Sequence, residues 1–390
     1  MKLPIDPQYL TDVLRDLVEI DSTNPSLVDD GAGEAEIATY LAEEMKALGL
    51  DVSTVESKPG RPSLVGIREG SGGGRSLMFN GHMDTVGVAG MDAPFQPEIR
   101  GGRMYGRGTQ DMKGSLAAHL AAVKALNEEG VDLAGDLLLA FVADEEHASL
   151  GTEAVLEEIQ PNGAIVTEPT DLELCLAHKG FVWIDVMTVG RAAHGSRPDE
   201  GIDANRRLGR ILHRLDDVEA ELRDRDDHDL VGTPSLHVPR IRGGQESSVY
   251  AARAQCRIER RTVPGESVDA VSQEIQDLID DLADEDETFK AGLEVTFSRD
   301  PYEIDAGAPI AVSVREAAQS VFGSPPKDVG ASYWTDAGLL GQSDVETVVI
   351  GPIGSGLHTT EEWVDLDSCA DLADILARTA CDYCSVVDDG

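Results

Sequence analysis

The chain has 390 residues, 73 of them acidic and 32 basic, for a formal net charge of −41 at pH 7. So acidic a balance excludes nucleic acid and anionic membrane as partners, since both need a basic footprint. With 41% of residues hydrophobic there is enough apolar material for a core, so the charge predicts not disorder but a folded protein in screening salt, in the cytoplasm of a halophile.

At about 100–200 residues per domain, the length predicts two domains. The first twenty residues lack a basic stretch followed by an apolar run, so no secretory signal is expected. No run is long and apolar enough to predict a membrane-spanning helix. Leu10, Val13, Leu14, Leu17 and Val18 mark one face of a first helix. A second covers 34–48 and stops at Gly49, a residue type favoured just past a helix end. Short apolar strands are predicted over 77–79, 137–142 and 164–166, with a fourth far downstream over 345–350. Helical patterns at 115–129 and 152–159 lie between them. Continuous apolar strands alternating with helices predict an α/β fold, a mostly parallel sheet with helices on both faces.

The middle of the chain has a different rhythm. An alternating strand over 181–189 precedes a helix over 203–222. Strands over 236–241 and 249–258 follow. Val268, Val271, Ile275, Leu278 and Leu282 then mark a helix, and 293–297 a last strand. The order β-α-β-β-α-β predicts a ferredoxin-like α+β domain over 180–298, inserted into a discontinuous α/β domain of 1–179 and 299–390. The five cysteines form no disulfide pattern. Cys381 and Cys384 read as packing residues of a terminal helix.

Chemistry-bearing residues gather just after the predicted strands. His82 and Asp84 follow the first, Glu145 and Glu146 the second, Glu168 the third, and His358 the fourth after a glycine-rich loop. Alone, each is an ordinary polar loop residue. Together they stand where open α/β sheets bind ligands, outside the carboxyl ends of the strands. Asp111, in G-R-G-T-Q-D-M-K-G at 106–114, joins them; capping the helix from Ser115 is its other plausible role. Two imidazoles and three carboxylates (His82, Asp111, Glu146, Glu168 and His358) suit Zn²⁺ and also Co²⁺ or Mn²⁺. Five donors exceed the three protein ligands of one catalytic zinc and fit two metals if one carboxylate bridges. Glu145 is then the spare carboxylate, in the place of a general base. Asp84, two residues from His82, is placed to orient its second ring nitrogen.

G-H-M-D at 81–84, the Asp111 motif, D-E-E at 144–146, E-P at 168–169 and the late His358 resemble the co-catalytic zinc amidohydrolases. Acetylornithine deacetylase, succinyl-diaminopimelate desuccinylase, aminoacylase and glutamate carboxypeptidase belong to that family. The resemblance spans nearly the whole chain, and its inserted domain would be a lid and dimerisation domain. It implies that Asp111 bridges two metals, zinc foremost, with His82 and Glu168 on one and Glu146 and His358 on the other. Glu145 would be the base, Asp84 would hold His82, and the Asp111–Met112 peptide would be cis. His194, in G-R-A-A-H-G-S-R-P, would donate to the oxyanion, within one chain or across a homodimer. Arg260 and Arg261 would supply a clamp for a substrate carboxylate. Ser248 stands where many relatives have an Asn, so no one relative's substrate carries over directly. The aromatics of 332–337 read as packing. The implied reaction is amide hydrolysis of an N-acyl amino acid such as acetylornithine. A dipeptidase or carboxypeptidase is the alternative, and a catalytically inactive binding module the alternative of another class.

Overall fold

The computed structural model describes residues 3–88 and 90–385. The chain divides into two compact units. The first takes in the chain up to Leu176, then Ile304–Val329 and the chain from Thr335. The second runs over Ala177–Glu303 and also includes Gly330–Trp334, which differs from the expected assignment of 299–390 to the metal-binding domain.

The first unit is built on a mixed sheet. Its centre is four parallel strands: Leu137–Val142, Leu77–His82, Gly163–Val166 and Glu346–Val349, in that spatial order. Every residue of the first three is buried. That explains their unbroken apolar runs, since a strand covered on both faces has no polar side. At one edge Pro62–Arg68 and Asp51–Glu56 add antiparallel strands. Beyond Glu346–Val349, Leu174–His178 pairs antiparallel. These edge strands have no sequence expectation behind them. The helix Gly114–Glu128 is buried along almost its whole length and packs against Leu366–Tyr383 and Pro7–Glu19. Asp6 and Asp365 cap the latter two through their carboxylates. Burying one large apolar side chain contributes about 1.5–3 kcal/mol, so this helix and the central strands form the main core.

A second, small antiparallel sheet was also not expected from the sequence. It orders Gly354–Ser355, Trp363–Asp365, Arg103–Tyr105 and Glu98–Arg100. Trp363 pairs with Tyr105. The loop after Tyr105 and the loop before Trp363 are thereby brought to one place. The first holds Asp111 and the second His358.

The second unit carries four antiparallel strands in the order Ser235–Gly243, Arg253–Thr262, Gly180–Val189, Ala291–Arg299. With the helices Ala204–Arg223 and Val268–Glu285 this is the ferredoxin-like β-α-β-β-α-β arrangement. Val182, Ile184 and Val186 alternate inward along Gly180–Val189 and pack with Leu208, Ile211 and Ile275. Trp334 packs edge-on against His178 and Phe181 and donates its indole N–H to the Asp300 carbonyl (3.2 Å). The aromatics of 332–337 thus include a packing residue, as expected.

Candidate metal centre

The four parallel strands point their carboxyl ends the same way, and each delivers a ligand candidate. His82 is the last residue of Leu77–His82. Glu145 and Glu146 follow Leu137–Val142, Glu168 follows Gly163–Val166, and His358 lies on the loop beyond Glu346–Val349. Asp111 enters from an irregular turn over Thr109–Lys113, and its peptide bond to Met112 is cis. The following helix begins at Gly114 without a side-chain cap, so the capping role for Asp111 is not realised.

Asp111 sits at the centre. Its Oδ1 lies 3.0 Å from His82 Nε2, and its Oδ2 lies 3.2 Å from His358 Nε2. Glu168 Oε1 approaches the same His82 nitrogen at 3.5 Å, and Glu146 Oε2 the same His358 nitrogen at 3.2 Å. Ligand atoms of His82, Glu145 and Glu168 fall within 4.8 Å of one another, as do those of His82, Asp111 and Glu146. All six expected residues therefore meet, with one oxygen of Asp111 facing each half of the cluster.

So many acids in one place distort their own protonation. Burial pushes Glu168 well above the usual carboxylate range, and the charges of Asp111, Glu146 and Asp336 add to it. Glu145 rises likewise through burial and Glu168. Glu146 is raised to about 7 by burial and Asp111. Burial works against charge on Asp111 too, but hydrogen bonds from His358 and His82 hold it below the usual range. His358 is raised to about 10 by its bonds to Asp111 and Glu146. A site that raises its acids and charges its histidines is short of positive charge. Glu146 Oε1 is also buried without a hydrogen-bond partner among the described residues. Nitrogen and oxygen donors, an unpartnered carboxylate oxygen and unbalanced negative charge all fit divalent cations.

Asp84 differs from its expected part. His82 Nδ1 lies 2.9 Å from the Asp84 main-chain carbonyl, whereas the carboxylate is 3.8 Å away. The backbone of Asp84 therefore holds the ring. Its buried carboxylate instead accepts the N–H groups of Glu145 (3.1 Å) and Glu146 (3.2 Å) and the Asn24 amide (2.7 Å). Behind it Arg61, paired with Glu34, donates to Asp144 (2.9 Å), a residue held at φ 67°. Asn24, Glu34 and Arg61 escaped the sequence reading. They carry no motif and lie far from D-E-E in the chain.

The remaining predicted residues belong to the second unit. His194 is exposed, and the Ser196 N–H donates to its Nδ1 (3.2 Å), which leaves the ring proton on Nε2. Ser248 is beside it, its carbonyl accepting the Gly195 N–H (2.7 Å). Arg260 does not suit a substrate clamp. It lies on the inward face of Arg253–Thr262 with Cys256 and Ile258, and its guanidinium pairs with Glu266 and Glu274. Two-residue alternation puts it inside, a signal present in the sequence. Arg261 has the opposite face, pairs with Glu259 and lies 5.3 Å over the Phe181 ring.

Residues 78–382 match the model of the peptidase family M20/M25/M40. The chain is 31% identical to acetylornithine deacetylase of Myxococcus xanthus over 385 residues, 95% of this chain and 96% of that protein. It is 27% identical to N-formyl-4-amino-5-aminomethyl-2-methylpyrimidine deformylase of Bacillus subtilis, covering 90% and 89%. Among solved structures, the aminopeptidase PepT of Bacillus cereus superposes with a TM-score of 0.81 at 20% identity, over 97% and 99% of the two chains. The chain belongs to the M20/M25/M40 family, and it is a hydrolase of amide bonds.

Proposed function

We propose that this hydrolase uses two divalent cations to remove the acyl group from an N-acyl amino acid, in the manner of acetylornithine deacetylase. The observation that carries the reading is Asp111, with one carboxylate oxygen on each imidazole and Glu145 beside it. His82 and Glu168 would hold one cation, Glu146 and His358 the other, and Asp111 both. Zinc is the first candidate, with cobalt or manganese next. When bound, the cations would supply Lewis acidity and an acidified water.

The chain's own residues then have distinct tasks. Glu145 takes a proton from the attacking water and returns it to the leaving nitrogen. Asp84, through the backbone of Glu145 and Glu146, sets where that carboxylate stands. His194 donates from Nε2 to the oxyanion, in the same chain or in a homodimer partner. Arg261, rather than Arg260, clamps the substrate carboxylate, and Ser248 lies with His194 at the substrate. A dimer through the second unit draws support from Ser235–Gly243, an edge strand with Ile241 exposed. A halophile's cytoplasm remains the setting that the acidic composition favours.

A panel in molar KCl tests the substrate class. It offers N-acetyl- and N-formyl-amino acids, N-acetylornithine among them, beside dipeptides, with Zn²⁺ or Co²⁺ added. N-acyl amino acids should turn over fastest. Turnover of dipeptides alone would replace the reading with a dipeptidase, and no turnover by fully metal-loaded protein would favour a binding module.

A further inference from the structure

Arg107 and Glu362 lie 255 positions apart in the chain, are each 2% exposed, and meet at 2.7 Å between Nη1 and Oε2. Neither is a ligand candidate. Burying an ion pair costs desolvation, and an apolar pair of similar volume is often as stable. The partners of this pair show what it does. Glu362 Oε2 also accepts the Gly108 N–H (3.0 Å), and Oε1 accepts those of Gln110 (2.9 Å) and Asp111 (3.2 Å). Arg107 Nη2 donates to the carbonyls of Thr359 (2.8 Å) and Gly87 (3.1 Å). One buried pair therefore fastens the Asp111 turn, the residue after His358, and the loop leaving His82 and Asp84.

The ligand candidates need this help unequally. His82 ends a buried strand in a parallel ladder on both sides, and Glu168 follows another. His358 has no such support. It is 54% exposed, sits at φ 59°, and belongs to a loop between two short strands. That loop turns at Gly356 (φ 94°), where a Cβ would meet the Glu361 carbonyl at 1.8 Å.

We infer that Arg107 and Glu362 are positioning residues for the cation held by Glu146 and His358, and that the cation held by His82 and Glu168 depends on them far less. The inference rests on the two-cation reading above. Glu362→Gln loses one of the two acceptor oxygens and the charge. Arg107→Lys keeps the charge but cannot reach Glu362, Gly87 and Thr359 together.

Both variants and the wild type are stripped of metal, titrated with Zn²⁺ by calorimetry, and counted by elemental analysis, with thermal melts alongside. The wild type should bind two equivalents. Each variant should bind one equivalent with an affinity only slightly reduced, since Asp111 is shared, and the second about 10–100-fold more weakly. Excess Co²⁺ should restore that second site, seen in the Co²⁺ absorption spectrum. Equal weakening of both sites, or weakening of neither, overturns the inference. So does failure of both variants to fold, which would make the pair a folding element. A wild type that binds fewer than two equivalents instead overturns the two-cation reading.

Discussion

Glu145 and Glu146 are neighbours for which separate tasks are proposed, and both backbone N–H groups donate to the Asp84 carboxylate. Asp84→Asn replaces one acceptor oxygen with an amide that faces an N–H. Hydrogen bonds to charged groups contribute about 1.5–3 kcal/mol, so kcat should fall at least about tenfold with KM little changed. Steady-state kinetics would show it; a raised KM at full kcat would mean that Asp84 serves substrate binding. Protonation gives a second check. Glu146 stands at about 7 without a cation, so at pH 6 it carries a proton that a bound cation must expel. Calorimetry in two buffers of different ionisation enthalpy should find more protons released on metal binding at pH 6 than at pH 8.5, where His358, raised to about 10, still has one to give up. The ligand candidates were legible because each follows an apolar strand or sits in a recognisable motif. Arg107 was in view inside such a motif, yet its partner, Glu362, is distant in sequence and only tertiary pairing joins them.

At the scale of elements, the buried parallel strands could be read from their unbroken apolar runs and the amphipathic helices from periodicity. The strands Asp51–Glu56 and Pro62–Arg68 and the small sheet could not. Asp51–Glu56 is polar and largely exposed, so no apolar run marks it, and the strands of the small sheet are two or three residues long and joined by partners distant in sequence, as Trp363 is by Tyr105. Arg260 shows the opposite case, where alternation already placed the side chain inside. The helix Gly114–Glu128 makes a prediction of its own. His119 is fully buried between Phe79 and Phe141, with Nε2 2.8 Å from Thr167 Oγ1. Burial lowers its pKa to about 3 from 6.5. Between those values the unfolded chain binds a proton that the folded chain refuses. Its contribution to stability is therefore present above about pH 6.5 and lost as pH falls towards 3. In urea unfolding of metal-free protein, His119→Gln should show a shallower loss of stability between pH 7 and 5 than the wild type. Equal slopes would remove His119 from the account.

The whole molecule carries −41, and most of it lies outside the metal centre, on faces such as Asp280 and Asp281 of Val268–Glu285. Two cations would balance only the inward-facing carboxylates. The surface charge repels itself, and screening shortens that repulsion from about 10 Å at 0.1 M salt to about 3 Å at 1 M. The melting temperature should therefore rise markedly between 0.1 and about 2 M KCl; a flat response would count against a halophile's setting. An anionic substrate would meet the same repulsion, so the carboxylate clamp proposed at Arg261 would have to act locally. Above all, the proposed reaction needs a base that is separate from the metal ligands. The direct measurement is turnover by Glu145→Gln with its metal content counted. The variant should bind two equivalents, as the wild type should, with a rate lower by about 10²–10⁴-fold. A fully loaded variant that keeps more than a few per cent of the wild-type rate would contradict it.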